Sequence, residues 1–232
     1  MARNKAQYDS RQVLELAIEV DKNQGFIKSG FGYYDREADK RVNDNKTQIM
    51  NFMTGVEDMI PISEDTVTQA DKIVDEFQHE LIAKKMMSTI NDFEQGVLNS
   101  IGNKATDGFG VAVIASLPNS FRVMQKRQGM DAFFDQHRKD SEFVGKVGER
   151  LMFQAHIKDV KFIAKYSIHL VTCVDTYGNL CKFFFNREPD IAGILEGTDV
   201  MLTGKVKTHD VSKFSNCKET VFNYVKISQI KG

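Results

Sequence analysis

The stretch GERLMFQAHIKDVKF, residues 148–162, decides the fold. Leu151, Phe153, Ala155 and Ile157 recur at every second position, the period of a half-buried strand. After Ile157 the apolar positions fall at Val160 and Phe162, out of phase by one. One inserted residue near Lys158–Asp159 accounts for the shift, and an inserted residue in a strand is a β-bulge. A long first strand bent by a bulge is what a small barrel needs to turn its corner.

Downstream the same period continues. A second strand reads from Tyr166 to Asp175. The turn DTYGN, 175–179, supplies Gly and Asn for positive φ. The third strand is Leu180 to Asn186. The segment REPDIAGILEG, 187–197, has room for a turn or two of helix. Strand four is Asp199 to His209 and strand five is Glu219 to Ser228. Val200, Leu202 and Val206 give strand four an inward face, and Cys181, Phe183 and Phe185 do the same for strand three. Strand five offers two faces, Phe222/Tyr224 or Val221/Val225/Ile227. The order β-β-β-α-β-β is that of a five-stranded Greek-key barrel of the oligonucleotide-binding (OB) type.

Upstream the period is helical. Ser10 is placed to cap a helix through Val13, Leu14, Ala17 and Ile18. GFIKSGFGYYD and READKRVNDNK, together residues 25–46, read as loop or a short hairpin. Ser63 begins a helix whose stripe is Val67, Ala70, Val74, Phe77 and Leu81. Asn91 and Glu94 form a capping pattern for a helix to Ile101, with Phe93, Val97 and Leu98 facing the core and Gly102 as the stop. A further helix spans Thr106 to Ser116, ended by Pro118. Asn119 caps a last one, Ser120 to about Lys139. The period changes at Ser141–Gly148. The expected organisation is therefore α+β, an α-helical domain at 1–143 followed by an OB-fold β-barrel at 144–232.

Composition narrows the function classes. The 232 residues are 41% hydrophobic and 27% charged, ordinary for a globular protein. No apolar run reaches the ~18–20 residues that span a bilayer. The N-terminal residues lack a signal-peptide core, so the cytoplasm is the expected compartment. The three cysteines, Cys173, Cys181 and Cys217, form no CxxC pair and read as small buried hydrophobes. Net charge is −1, but residues 146–232 hold 13 Lys+Arg against 9 Asp+Glu, and residues 1–145 hold 18 against 23. Such an asymmetry suits a polyanion on the second part alone.

No nucleotide-binding or hydrolase motif is present, and the five histidines are scattered. A non-catalytic protein without cofactor or metal is expected. The helices around Asn91 and Thr106, with Lys104, Arg122, Lys126 and Arg127 nearby, also fit a helix-turn-helix. The acidity of that half favours packing and partner docking instead. Met50, Phe52, Met53, Met59, Met86 and Met87 read as core, with an adaptable partner surface as the alternative.

The runs VGKVGERLMFQAHI, HLVTCVDTYGNLCKFFF, LEGTDVMLTGKVKTHD and KETVFNYVKI resemble an OB-fold module found at the C-terminus of bacteriophage proteins of replication-type gene neighbourhoods. The resemblance covers roughly 85 residues, an extent typical of a small barrel. It implies an OB fold and binding of single-stranded nucleic acid. Where that family has a short loop before K-Q-T, this chain has VSKFSNCKET.

Single strands require cations along the phosphates and flat side chains beneath the bases. On an OB fold these belong on the strand 2–3 face and the loops beside it. His169, Lys182 and Phe184 are assigned to the side opposite Cys181, Phe183 and Phe185. Tyr177 marks the hairpin tip. Lys161 and Lys165 flank the first loop. Lys205, Lys207 and His209 alternate on one side of strand four and lead to Lys213, Phe214 and Lys218. The expected function is a single-stranded DNA-binding protein or phage replication accessory factor, with replication or transcription proteins as partners of the helical domain. The alternatives are a protein–protein adaptor in such an assembly and a metal-dependent nuclease.

Overall fold

The computed structural model describes residues 6–189, 193–213 and 215–229. The chain falls into two compact units, 1–126 and 127–232.

The first unit is built around a helix, α1 (Ser10–Gln24), whose Val13, Leu14, Leu16, Ala17, Ile18 and Val20 are all buried. Its N-cap is Asp9, not Ser10. The Asp9 carboxylate accepts the Gln12 N–H at 2.8 Å, which leaves Ser10 as the first helical residue. A two-residue strand β1 (Tyr8–Asp9) precedes it. The glycine- and aromatic-rich stretch is a hairpin, β2 (Tyr33–Asp35) with β3 (Lys40–Val42). The polar run after it opens a helix that the sequence reading missed, α2 (Asn45–Thr54), because Asp44 caps it through the Thr47 N–H.

Helix α3 (Glu64–Met86) starts at Ser63 as expected, but its buried face is turned. Thr66, Ala70, Ile73, Phe77 and Leu81 face inward, while Val67 is exposed. The cause is polar: the Thr66 hydroxyl donates to the Glu19 carboxylate of α1, which also accepts from the Ser63 hydroxyl at 3.0 Å. Helix α4 (Asp92–Gly102) carries the full Asn91/Glu94 capping box, yet its Phe93 is exposed rather than core.

Thr106 lies in strand β4 (Ala105–Thr106), which pairs with β1, so the next helix, α5 (Gly108–Ala115), is capped by Asp107. Helix α6 (Leu117–His137) contains Pro118 in its first turn, where a missing N–H removes no helical bond; the proline starts a helix instead of ending one. Arg122 of α6 holds the buried Asp21 of α1 with both guanidinium nitrogens. Met50 and Met53 pack against the core, whereas Met59, Met86 and Met87 are exposed.

The second unit is a closed barrel of β5 (Arg150–Ile163), β6 (Ile168–Asp175), β7 (Leu180–Phe185), β8 (Asp199–Val211) and β9 (Lys218–Gln229), in the order β5-β6-β7-β9-β8. Every neighbouring pair is antiparallel except β7 with β9. The expected bulge is present between Ile157 and Asp159. It lies just past the part of β5 that pairs with β8 (Arg150–His156) and within the part that pairs with β6 (Ala155–Ile163). The core includes Ala155, Ile157, Val171, Cys173, Cys181, Phe183, Val200, Leu202, Val206 and Phe222, with Ile194 of the β7–β8 connection. The short helix expected in that connection falls partly on residues 190–192, outside the described residues. On β9 the inward side is Phe222, then Val225 and Ile227, taking one residue from the first of the expected faces and two from the second. All three cysteines are free and buried, and the Cys173 contact together with burial pushes the Cys181 thiol well above its ordinary range.

Two outcomes test this packing. Phe183→Ala should destabilise the barrel by ~3–5 kcal/mol in urea unfolding, as for a fully enclosed phenylalanine. The Thr66 hydroxyl, with Ser63 behind it, holds the Glu19 carboxyl below its usual value. A depressed carboxyl stabilises the fold above its unfolded pKa and ceases to do so as pH falls through the folded one. Glu19→Gln should therefore cost about 1 kcal/mol at pH 7, and the difference from wild type should vanish on acidification below the carboxylate range.

Candidate nucleic-acid interface

Strand β7 has six residues and β9 has twelve. Their parallel ladder runs from Leu180↔Glu219 to Phe183↔Phe222 and stops. Beyond that point the strands part. Phe184, Phe185, Asn186 and Arg187 form one wall of a groove of about 830 Å³, Tyr224 to Ile227 the other, and Ile168 reaches it from β6. Tyr224 has φ +51°, and the β8–β9 register slips between Thr203 and Lys205, so β9 holds an extra residue there. This bulge lets Phe222 and Val225 both face inward while the Tyr224 ring is 74% exposed; Phe184 opposite is 51% exposed. Arg187 and Lys226 line the same groove and are exposed.

The β5–β6 turn adds Lys161, Phe162, Lys165 and Tyr166, all exposed, with the Lys165 Nζ 5.3 Å from the Tyr166 ring centre. Among the described residues Lys161, Lys165, Arg187 and Lys226 form no salt bridge. Lys161, Leu170 and Phe184 lie side by side across β5, β6 and β7 on the outer face.

His169 is not on that face. It pairs with Phe162 and Phe185 and therefore shares the inward parity of Phe183, at the barrel mouth. Its Nδ1 is buried without a partner, and its ring centre is 5.0 Å from that of Phe162.

The other half of the β6–β7 face is covered. The end of α6 and the chain after it, residues 133–144, form a strap across Leu180 and Lys182. The Phe134 carbonyl accepts the Cys217 thiol at 3.3 Å. The Ser141 hydroxyl donates to the Lys218 carbonyl at 2.8 Å and accepts the Leu180 N–H at 2.9 Å. The Glu142 and Val144 N–H groups donate to Asn179 Oδ1 and Thr220 Oγ1. Lys182, largely buried, pairs with Glu219 at 2.5 Å and lies 5.9 Å from the Phe134 ring centre. Lys218 binds both oxygens of Glu142, and the His209 ring stacks on Phe143 at 4.6 Å. Lys182, His209 and Lys218 are thus engaged by the strap.

No family model, curated protein or solved structure matches this chain.

The remaining sequence candidates lie apart from the groove. Tyr177 is exposed at the hairpin tip, one strand length of ~17 Å from Phe185. Lys205 and Lys207 are on β8, which β9 separates from β7. A second irregularity, between Val206 and Thr208, breaks the expected alternation: Lys205 pairs with Asn223, while His209 pairs with the buried Thr220. Lys213 is exposed in the β8–β9 loop, and Phe214 lies outside the described residues. Tyr224, Arg187, Lys226, Phe162 and Tyr166 were not singled out from the sequence. Tyr224 carried a signal, the two competing faces of strand five, which a bulge reconciles. Among the described residues no group of three or more His, Cys, Asp or Glu is placed to hold a metal ion.

Ser141 satisfies two buried backbone groups at once. Ser141→Ala should lower the stability of the barrel unit by about 2–6 kcal/mol, since each of the two orphaned groups costs ~1–3 kcal/mol. Hydrogen exchange at the Leu180 amide should accelerate with it.

Proposed function

We propose that the barrel is an OB fold that binds single-stranded nucleic acid, DNA foremost, in the groove where β7 and β9 part, and that the protein works by binding alone as a replication accessory factor of the phage type. The observation that carries this reading is the pair of exposed rings, Phe184 and Tyr224, facing a groove with Arg187 and Lys226 on its walls. The strand order with its parallel third and fifth strands supports the OB assignment. Bases stack on Phe184 and Tyr224 at ~1–3 kcal/mol each, and Lys161, Lys165, Arg187 and Lys226 follow the phosphates. Flat rings accept any base, so the contacts are tolerant of sequence.

The strap supports a second reading, an assembly subunit, because it occupies the hairpin half of the face on which an OB ligand lies.

Anisotropy titration of a labelled dT oligonucleotide at several salt concentrations separates the two. Four phosphate contacts give a slope of about −3 for log K against log salt. Phe184→Ala and Tyr224→Ala should each weaken binding about 5- to 150-fold without unfolding the barrel. Arg187→Ala and Lys226→Ala should each reduce the slope by about 0.7, and Tyr177→Ala should leave the affinity unchanged. Absence of binding at low salt by the folded protein rejects the proposal in favour of the subunit.

A further inference from the structure

Helix α4 and helix α5 each begin with a phenylalanine that the core does not use. Phe93 is 55% exposed and Phe109 is 74% exposed. Both line one groove with Phe26, from the chain after α1. Its volume is about 370 Å³, within the range of sites that take a small ligand or one anchored side chain. The wall from α5 and the start of α6 carries small residues, Ala112, Ala115 and Ser116 among them, so a bulky group can approach the backbone.

Polar features give the groove a direction. Asn45, the first residue of α2, lines it and is 1% exposed. Its Oδ1 accepts the Ile27 N–H at 2.9 Å and the Gln24 Nε2 at 3.3 Å, which fixes the amide orientation. The Nδ2 then has no acceptor. A buried donor without a partner is costly to leave unmade, and an incoming carbonyl or carboxylate oxygen would satisfy it. Among the described residues the charged ones lining the groove are Lys28 and Lys46, and no carboxylate lines it. The nearby Asp44 carboxylate already accepts from Thr47 and Gly30.

We infer that this groove docks a short acidic peptide segment of a partner protein. A bulky apolar side chain sits among Phe26, Phe93 and Phe109, an oxygen of the segment accepts from Asn45 Nδ2, and flanking carboxylates face Lys28 and Lys46. A nucleic-acid strand fits less well. Residues 1–145 hold 18 cations against 23 anions, so a long polyanion that runs beyond the two lysines meets a repulsive field, whereas a short segment with a few carboxylates stays beside them. The inference is independent of what the barrel binds.

The test uses the full chain labelled with ¹⁵N and an acetylated peptide of sequence DELFDL as probe. Saturable shifts are expected at the Asn45 side-chain amide and at the backbone amides of residues 26–29 and 109–116. Phe93→Ala and Phe109→Ala are surface changes that keep the fold, and each should weaken the peptide about tenfold, as truncating an interface anchor does, with dT affinity unchanged. Lys46→Glu should weaken DELFDL and strengthen KKLFKL. The inference is overturned if no saturable shift appears, if DELADL binds as well as DELFDL, if the phenylalanine variants bind the peptide normally, or if the dT oligonucleotide shifts these same resonances.

Discussion

Closing five strands into a barrel leaves one seam that must be made by a parallel pair, and here that seam is short. β7 is too brief to accompany β9 over its length, so the ladder ends at Phe183 and Phe222. Up to that point the two strands are locked by hydrogen bonds and by Phe183 and Phe222 in the core. Past it the two strands no longer pair with each other, and Phe184 and Tyr224 are exposed while Phe185, Val225 and Ile227 still pack on the core. The groove, its two exposed rings and its cations all follow from a difference in strand length at the closing edge. A longer β7 would seal the barrel and remove the site.

The opposite end of the same face shows the reverse arrangement. There the chain after α6 lies over β6 and β7, and its polar groups, Ser141, Glu142 and Val144, match those of Leu180, Asn179 and Thr220 one for one. Cations that look available in the sequence are engaged in holding that cover, as Lys182 and Lys218 are. One sheet face thus has a built, dry half and an open, charged half. A carboxylate partner, Glu219 or Glu142, rather than residue type separates Lys182 and Lys218 from the exposed cations of the open half.

What the sequence discloses depends on whether the signal is local. The bulge at Lys158–Asp159 shifts the apolar phase within one strand and is visible there, as are the Asn91 capping box and the DTYGN turn. Helix α2 was missed because the asparagines and aspartate that open it resemble a loop until Asp44 is seen as a cap. The turned face of α3 depends on Glu19, 47 residues away from Thr66. The strap joins residues 37 to 83 apart, and no local pattern announces it. Of the candidate interface, Phe184, Lys161 and Lys165 were legible in the sequence, from strand alternation and the turn beside it. Tyr224 and Lys226 were hidden by a register slip that only the β8 partner defines.

That slip decides which side chains the closing strand displays. Between Phe222 and Val225 the strand carries two residues where regular alternation needs one, so two inward side chains enclose an outward tyrosine. The tyrosine lies in left-handed backbone, a conformation non-glycine residues seldom adopt. Irregular backbone thus sets a ring on the outer wall while the apolar row inside resumes two residues further on.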